Sequence, residues 1–405
     1  MWLAAALAAS LLQAQPDLQA EGLKALESQR YADAVDLFTK AAAAEPGDFA
    51  AHFHLALSLS LAGRDTDAIP AYRKTLELKP GLYEAQLNLG ILLVRGKQPK
   101  EAIPLLEAAA QAKPAVFRPV FTLASAQFEA GDFAAAERGF QAAIQLDPKA
   151  ADAHLGLGRS LARQGRLADA APHLRRAAEL DAAYRDALLE VATLYEERKE
   201  MTEAIAIYRE FPDNVAARER LGNLLLLSKQ PADAIPHLEA VVASAPTPAS
   251  RYALATAYLR SKQADKALPL LEQSLAADPS NIELRLAYGR VLRDLRRLPD
   301  AAREFYAVVK QKGDHREAWS ELAAMLVSLE SYPQALAALD RVEALGAATA
   351  GHVYLRAIVL DRLKQLKPAL DAYRRFLAMS DNQHPDEEFK ARQRARILEK
   401  ELSRK

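Results

Sequence analysis

The chain has 405 residues, and its 53 Lys plus Arg are balanced by 53 Asp plus Glu, so the formal net charge is zero. That balance argues against nucleic acid or an anionic membrane surface as a general target, since both select for excess positive charge. The absence of cysteine excludes disulfides, thiolate catalysis, a cysteine-ligated zinc and lipoprotein acylation.

The first element in the chain is an apolar run from Leu3 to Leu12 that ends in Leu12-Gln13-Ala14. It is too short to cross a bilayer as a helix. It predicts a secretory signal over residues 1–14, cleaved after Ala14, and hence an exported chain, periplasmic or secreted. The run carries no Lys or Arg at its start. The alternative is an N-terminal helix that covers the first folded unit, in a chain that remains in the cytoplasm.

Residues 15–384 are periodic. Alanine stands at Ala34, Ala68, Ala102, Ala136, Ala170, Ala204, Ala234, Ala267, Ala301, Ala335 and Ala369, and all but two of the intervals are 34 residues. A fixed interval of this length marks a repeated supersecondary unit. With each of these alanines as position 20, position 8 is Gly or Ala in every copy, from Gly22 and Ala56 to Ala357. Position 24 is large and apolar in every copy, from Phe38 and Tyr72 to Tyr373. Position 7 is usually Leu, as in Leu55 and Leu89, and proline closes several copies at position 32, as in Pro46 and Pro80.

Within one copy, apolar residues near positions 3, 4, 7 and 11 follow the helical period, as do those near 20, 24 and 27. Turns such as Ala62-Gly63-Arg64-Asp65 separate the two stretches. Each copy therefore predicts two antiparallel helices, A and B. The small residues at 8 and 20 let them approach, and the bulk at 7 and 24 fills the space around them. Pro70, Pro104, Pro172, Pro236 and Pro269 share position 22. If helix B begins at position 18 or 19, they fall in its first turn, where an amide has no intrahelical partner. Pro99, Pro231, Pro299 and Pro333 mark the same start.

These columns resemble the tetratricopeptide repeat family in the small residue at 8, alanine at 20, Leu or an aromatic at 24 and proline at 32. The resemblance runs through eleven copies. The family's frequent Trp at position 4 is matched only by Trp319, and Arg356 stands where Leu is expected in copy 11. The resemblance implies an all-α, right-handed superhelical solenoid with helix A lining a concave wall. It also implies a protein or peptide partner bound there through positions 2, 5, 9, 12 and 13. Carried onto this chain, those positions nominate Phe53, Leu57, Leu61, Leu87, Ile91, Phe121 and Phe128 in the earlier repeats. Later repeats contribute Arg159, Arg163, Asn223, Tyr252, Arg260, Arg290 and Arg293. The first group suits an amphipathic helix or extended peptide, and the arginines suit carboxylates. The alternative is that the apolar members pack on adjacent helices.

Copy 6 is short, with 30 residues between Ala204 and Ala234, about one helical turn missing. Its helix B is expected to end near Phe211, either bending the array there or altering its path slightly. The charged tail, residues 385–405, carries Phe389, Ile397, Leu398 and Leu402 and predicts a helix that caps the exposed end of the stack.

No catalytic, metal or cofactor set emerges. His52 and His54 face different sides of a helix, while His173 and His237 recur at position 23, a structural register. Gly156-Leu157-Gly158 has Leu161 where a dinucleotide loop needs glycine, and Gly90 to Gly96-Lys97 misses the spacing of a phosphate loop. The sequence thus describes a non-enzymatic binding scaffold, for which bacterial cell-envelope assembly or secretion is one setting by family analogy. The alternatives are a cytoplasmic regulatory scaffold associated with an enzyme and, more weakly, a glycan- or polysaccharide-handling protein.

Overall fold

The computed structural model describes residues 17–380 and 383–403, so the signal predicted over residues 1–14 lies outside the described residues. Among those described, every α-helix but the last falls into the A–B alternation, and none is long and apolar enough to cross a membrane. The chain divides into two compact units between Glu200 and Met201.

The first unit holds α1 (Leu18–Glu27), α2 (Tyr31–Ala44), α3 (Phe49–Leu61), α4 (Asp65–Leu78), α5 (Tyr83–Arg95) and α6 (Pro99–Ala112). It continues with α7 (Phe117–Glu129), α8 (Phe133–Leu146), α9 (Ala151–Arg163), α10 (Leu167–Leu180) and α11 (Ala187–Glu197). The second unit begins with α12 (Met201–Tyr208), α13 (Val215–Leu227), α14 (Pro231–Ser244), α15 (Pro248–Arg260), α16 (Ala264–Ala277) and α17 (Ile282–Asp294). It ends with α18 (Leu298–Gln311), α19 (Arg316–Ser328), α20 (Tyr332–Ala344), α21 (Ala350–Arg362), α22 (Leu366–Ser380) and α23 (Pro385–Ser403). Odd-numbered helices up to α21 are the A helices and even-numbered ones are the B helices.

Packing follows the columns. All eleven ladder alanines are fully buried, and so is nearly all of each position 24 side chain. Position 8 is small because position 24 of the same repeat lies directly against it. A Cβ on Gly90 would fall 2.5 Å from Leu106 Cδ2, and one on Gly222 would fall 2.5 Å from Leu238 Cδ2. Within a unit, helix A packs on its own helix B and on helix B of the preceding repeat. Successive A helices also approach one another, as α5 with α7, α7 with α9, α13 with α15 and α19 with α21. No pair of B helices among the described residues comes as close, so helix A forms the tighter side of each stack.

Helix B starts at position 17 in every copy, one or two residues before the expected 18 or 19. The cause is the preceding turn. Position 15 takes a positive φ in all eleven repeats, between 57° and 87°. That kink lets the amide of position 16 reach the carbonyl of position 11, as Arg64 to Leu59 at 2.8 Å, closing a Schellman-type end on helix A. Glycine fills position 15 only at Gly63, Gly131 and Gly165; elsewhere a longer side chain bears the steric cost, about 1–2 kcal/mol. The earlier start puts the position 22 prolines inside helix B rather than in its first turn. Each deprives the carbonyl of position 18 of its donor. In all five copies both residues are solvent-exposed, so water can replace the lost bond.

Helix B of copy 6 (α12) ends at Tyr208, three residues earlier than expected, and a turn carries the chain through the buried Phe211 into α13. At the other end α23 lays Ala391, Ala395 and Leu398 into a cluster with Tyr373 and Phe376 of α22. Arg394 clamps it by two bonds to Asp361, at 2.6 and 2.7 Å.

Candidate functional site

The helix-A positions nominated as a partner surface differ in what they touch. In the first unit most of the apolar members are half-buried against their own neighbours. Phe53 meets Tyr72 edge-on, with ring centroids 5.9 Å apart. Burial pushes the Tyr72 hydroxyl up to about 12 although Asn88 donates to it at 3.2 Å, so it stays protonated there. Ile91 packs against the same cluster. Phe121 stacks on Phe117 at 5.3 Å and also meets Phe140, and Phe128 meets Phe133 at 5.4 Å. Leu57 is half-buried. Leu87 must be removed from the surface: at 5% exposure it belongs to the cluster that Phe53 and Ile91 pack against, and it offers a partner nothing.

The arginines divide in the same way. Arg159 donates to Glu190 of the next helix A at 2.6 Å. Arg290 pairs with Glu317 and Glu321, and Arg293 places two bonds on Glu321 at 2.7 and 2.8 Å. Arg260 donates to the Leu226 carbonyl one repeat back, at 2.8 Å. These side chains join adjacent repeats. Arg163, Asn223 and Tyr252 are exposed.

Large apolar side chains exposed at helix-A surface positions are Leu23 at position 9, Leu61 and Leu227 at position 13, and Tyr252 at position 5. Leu227 is 69% exposed and Leu61 is 48% exposed. Leu23 and Leu227 were not among the nominated residues, although the register alone would have found them. The charged half of the surface includes a cleft of about 780 Å³ lined by α9 and α11, where Arg159, Arg163 and Arg198 face Glu190.

Acid–base candidates are few. His54, His173, His237 and His352 are all held below the ordinary histidine range, in each case chiefly by burial. They are therefore neutral at pH 7. His173 contacts His154, its Nδ1 lying 3.5 Å from the other Nδ1, while His154 Nε2 lies 3.2 Å from the Pro148 carbonyl. Among the described residues no group of three or more His, Asp or Glu is placed to hold a metal.

Comparison with known proteins matches the repeats directly. One family profile described as tetratricopeptide repeat matches residues 20–83, 121–184, 168–211 and 208–249, and a second of the same description matches 258–326. No curated protein matches the sequence. Solved structures similar to part of the chain include MamA residues 41 to the end from Desulfovibrio magneticus RS-1. That structure is 26% identical, covers 41% of this chain and 94% of its own, and has a TM-score of 0.39. MamA from AMB-1 is 27% identical over 41% of this chain and 99% of its own, with the same TM-score of 0.39. Overlap at that score bears no weight on what this chain does.

Proposed function

We propose that this chain, which belongs to the tetratricopeptide repeat family, is a non-enzymatic scaffold that captures a protein or peptide on the helix-A side of its repeats. The observation that carries this is the exposure of Leu61, Leu227 and Tyr252 at helix-A positions. Large apolar side chains left in water beside a tightly packed helix layer are what an amphipathic partner covers. Leu61 is the natural anchor in the first unit, since Phe53 and Ile91 around repeats 2 and 3 are already half covered.

Export, and with it a setting in envelope assembly or secretion, rests on the apolar run from Leu3 to Leu12. Mass analysis of the mature N-terminus tests it: a chain retaining residues 1–14 belongs to the cytoplasmic alternative.

The experiment for capture uses the full chain as bait in extract from its native source, beside Leu61→Ser and Tyr252→Ser variants. Both residues are exposed, so helicity and melting should hardly change. Loss of a partner retained by the unmodified chain supports the helix-A surface. Undiminished capture by both variants moves binding elsewhere, and turnover of any substrate by the purified chain alone overturns the non-enzymatic reading.

A further inference from the structure

The cleft between α9 and α11 carries three guanidinium groups against one carboxylate, an excess of positive charge in a chain whose total is zero. Arg159 and Arg163 are four residues apart on α9 and share a face. Arg198, the C-cap of α11, reaches across to the preceding repeat, where its Nη1 donates to the Gly165 carbonyl at 2.8 Å. Glycine leaves room for that approach. Gly165 has φ +81°, and a Cβ there would fall 2.6 Å from Arg198 Nη2. The backbone carbonyl thus fixes the orientation of one fork before any ligand arrives.

The donors are not all satisfied from within. Arg159 uses Nη2 on Glu190, yet its Nε is buried and has no partner. Arg163 is exposed and forms no hydrogen bond or ion pair with any described residue. Like charges held together and a desolvated donor left empty are both unfavourable, and one anion relieves both. The walls between the charges are apolar, supplied by Leu174, Val191 and Leu194.

We propose that this cleft binds an acidic side chain of a peptide partner, its carboxylate between Arg163, Arg198 and the free edge of Arg159. The apolar walls take the methylene stem. A carboxylate on a methylene stem suits the cleft better than a free phosphate, because Leu174, Val191 and Leu194 give the stem apolar surface to cover. Planar guanidinium forks match the two oxygens of a carboxylate. This rests on the capture surface proposed above and gives it a chemical preference in repeats 5 and 6.

The test is a titration of the full chain with a fluorescent, C-terminally amidated peptide of alternating Glu and Leu, beside its Gln–Leu counterpart. The Glu peptide should bind, with affinity falling as salt rises, and the Gln peptide should bind far more weakly. Arg163→Gln, which breaks no hydrogen bond or ion pair among the described residues, should weaken the Glu peptide about tenfold. Gly165→Ala should weaken it too by crowding Arg198, at a turn position where Lys97 and Lys229 are accommodated in other repeats. Failure of the Glu peptide to bind, equal binding of both peptides, or an undiminished Arg163→Gln variant would overturn the proposal. Equally tight binding of a Gln–Leu peptide with a free C-terminus would overturn the side-chain assignment in favour of a terminal carboxylate. Leu61→Ser and Tyr252→Ser should leave this titration unchanged, so failure of the capture surface and failure of the cleft are separable.

Discussion

Repeats 2 to 4 and repeats 9 and 10 put opposite chemistry at the same helix-A positions. In the former, positions 5, 9 and 12 carry Phe53, Ile91, Phe121 and Phe128, rings and branched chains half-covered by their own repeats. In the latter, Arg290 at position 9 and Arg293 at position 12 converge on Glu321 of the next helix A. Yet positions 8, 20 and 24 are filled alike in both. The columns inside the helix pair obey one steric rule, whereas the outward columns are free to be apolar in one stretch and ionic in another. Arg159 and Glu190 show the ionic solution beginning in the first unit, from position 9 to position 6 of the following repeat, as Arg290 to Glu321 does in the second. An arginine on this surface is therefore not by its position alone a ligand-binding arginine.

The largest effect expected tests the shared half of the comparison. Phe140 and Phe305 both occupy position 24 and are almost wholly buried. Phe140→Ala and Phe305→Ala should each cost about 3–5 kcal/mol, through lost burial and the cavity left behind. Urea denaturation of the full chain measures both. A cost below about 1 kcal/mol at either site would show that the two units do not pack by the same rule.

Much of that rule was legible in the sequence, because it is local and recurs. The alanine ladder, the small residue at 8 and the bulk at 24 all describe contacts within one helix pair. The turn was less legible. Lys97, Lys229 and Lys364 are ordinary helix formers by composition, and nothing about them announces the positive φ they adopt. That turn is what moves the start of helix B to position 17. Least legible was the outer surface. Leu57 and Leu87 are the same residue type at nominated positions, but only Leu87 is sealed into the cluster beneath Phe53. The commitment of Arg290 and Arg293 to Glu321 depends on how one repeat stacks on the next, which a register read within a single repeat does not contain.

A smaller effect sharpens the ionic half. Glu321 is 17% exposed and serves two arginines, whereas Glu190 is 51% exposed and serves Arg159 alone. Glu321→Ala should cost about 1–2 kcal/mol, discounted because its arginines are themselves about one-third exposed. Glu190→Ala should cost about 0.5 kcal/mol or less. Added salt should shrink the second loss more than the first, since exposed pairs are screened more. Equal losses would mean that the double pairing in repeats 9 and 10 is no firmer than the single one in repeats 5 and 6.

The smallest effect concerns position 23, where the units again differ by neighbour. His173 faces His154 in the first unit, and His237 lies near Arg218 in the second. The Pro148 carbonyl can only accept, so His154 carries its proton on Nε2 and presents Nδ1 as an acceptor to His173. A proton on each of the facing nitrogens would instead set two N–H donors against one another. Burial first and His154 second hold His173 below its ordinary value of 6.5, with Asp169 opposing weakly. Burial first and then Arg218 and Arg209 do the same for His237, against Asp233. A depressed histidine makes no difference above 6.5, where folded and unfolded chains are both neutral. Below that value the unfolded chain takes the proton first, so stability falls until the pH passes the depressed folded value. Urea midpoints at about pH 7.5 and about pH 5.5 bracket the upper part of this fall. His173→Gln and His237→Gln should each flatten part of it, leaving the contributions of His54 and His352. An unaltered pH dependence in His173→Gln would mean that the His154–His173 contact accommodates a second proton without cost.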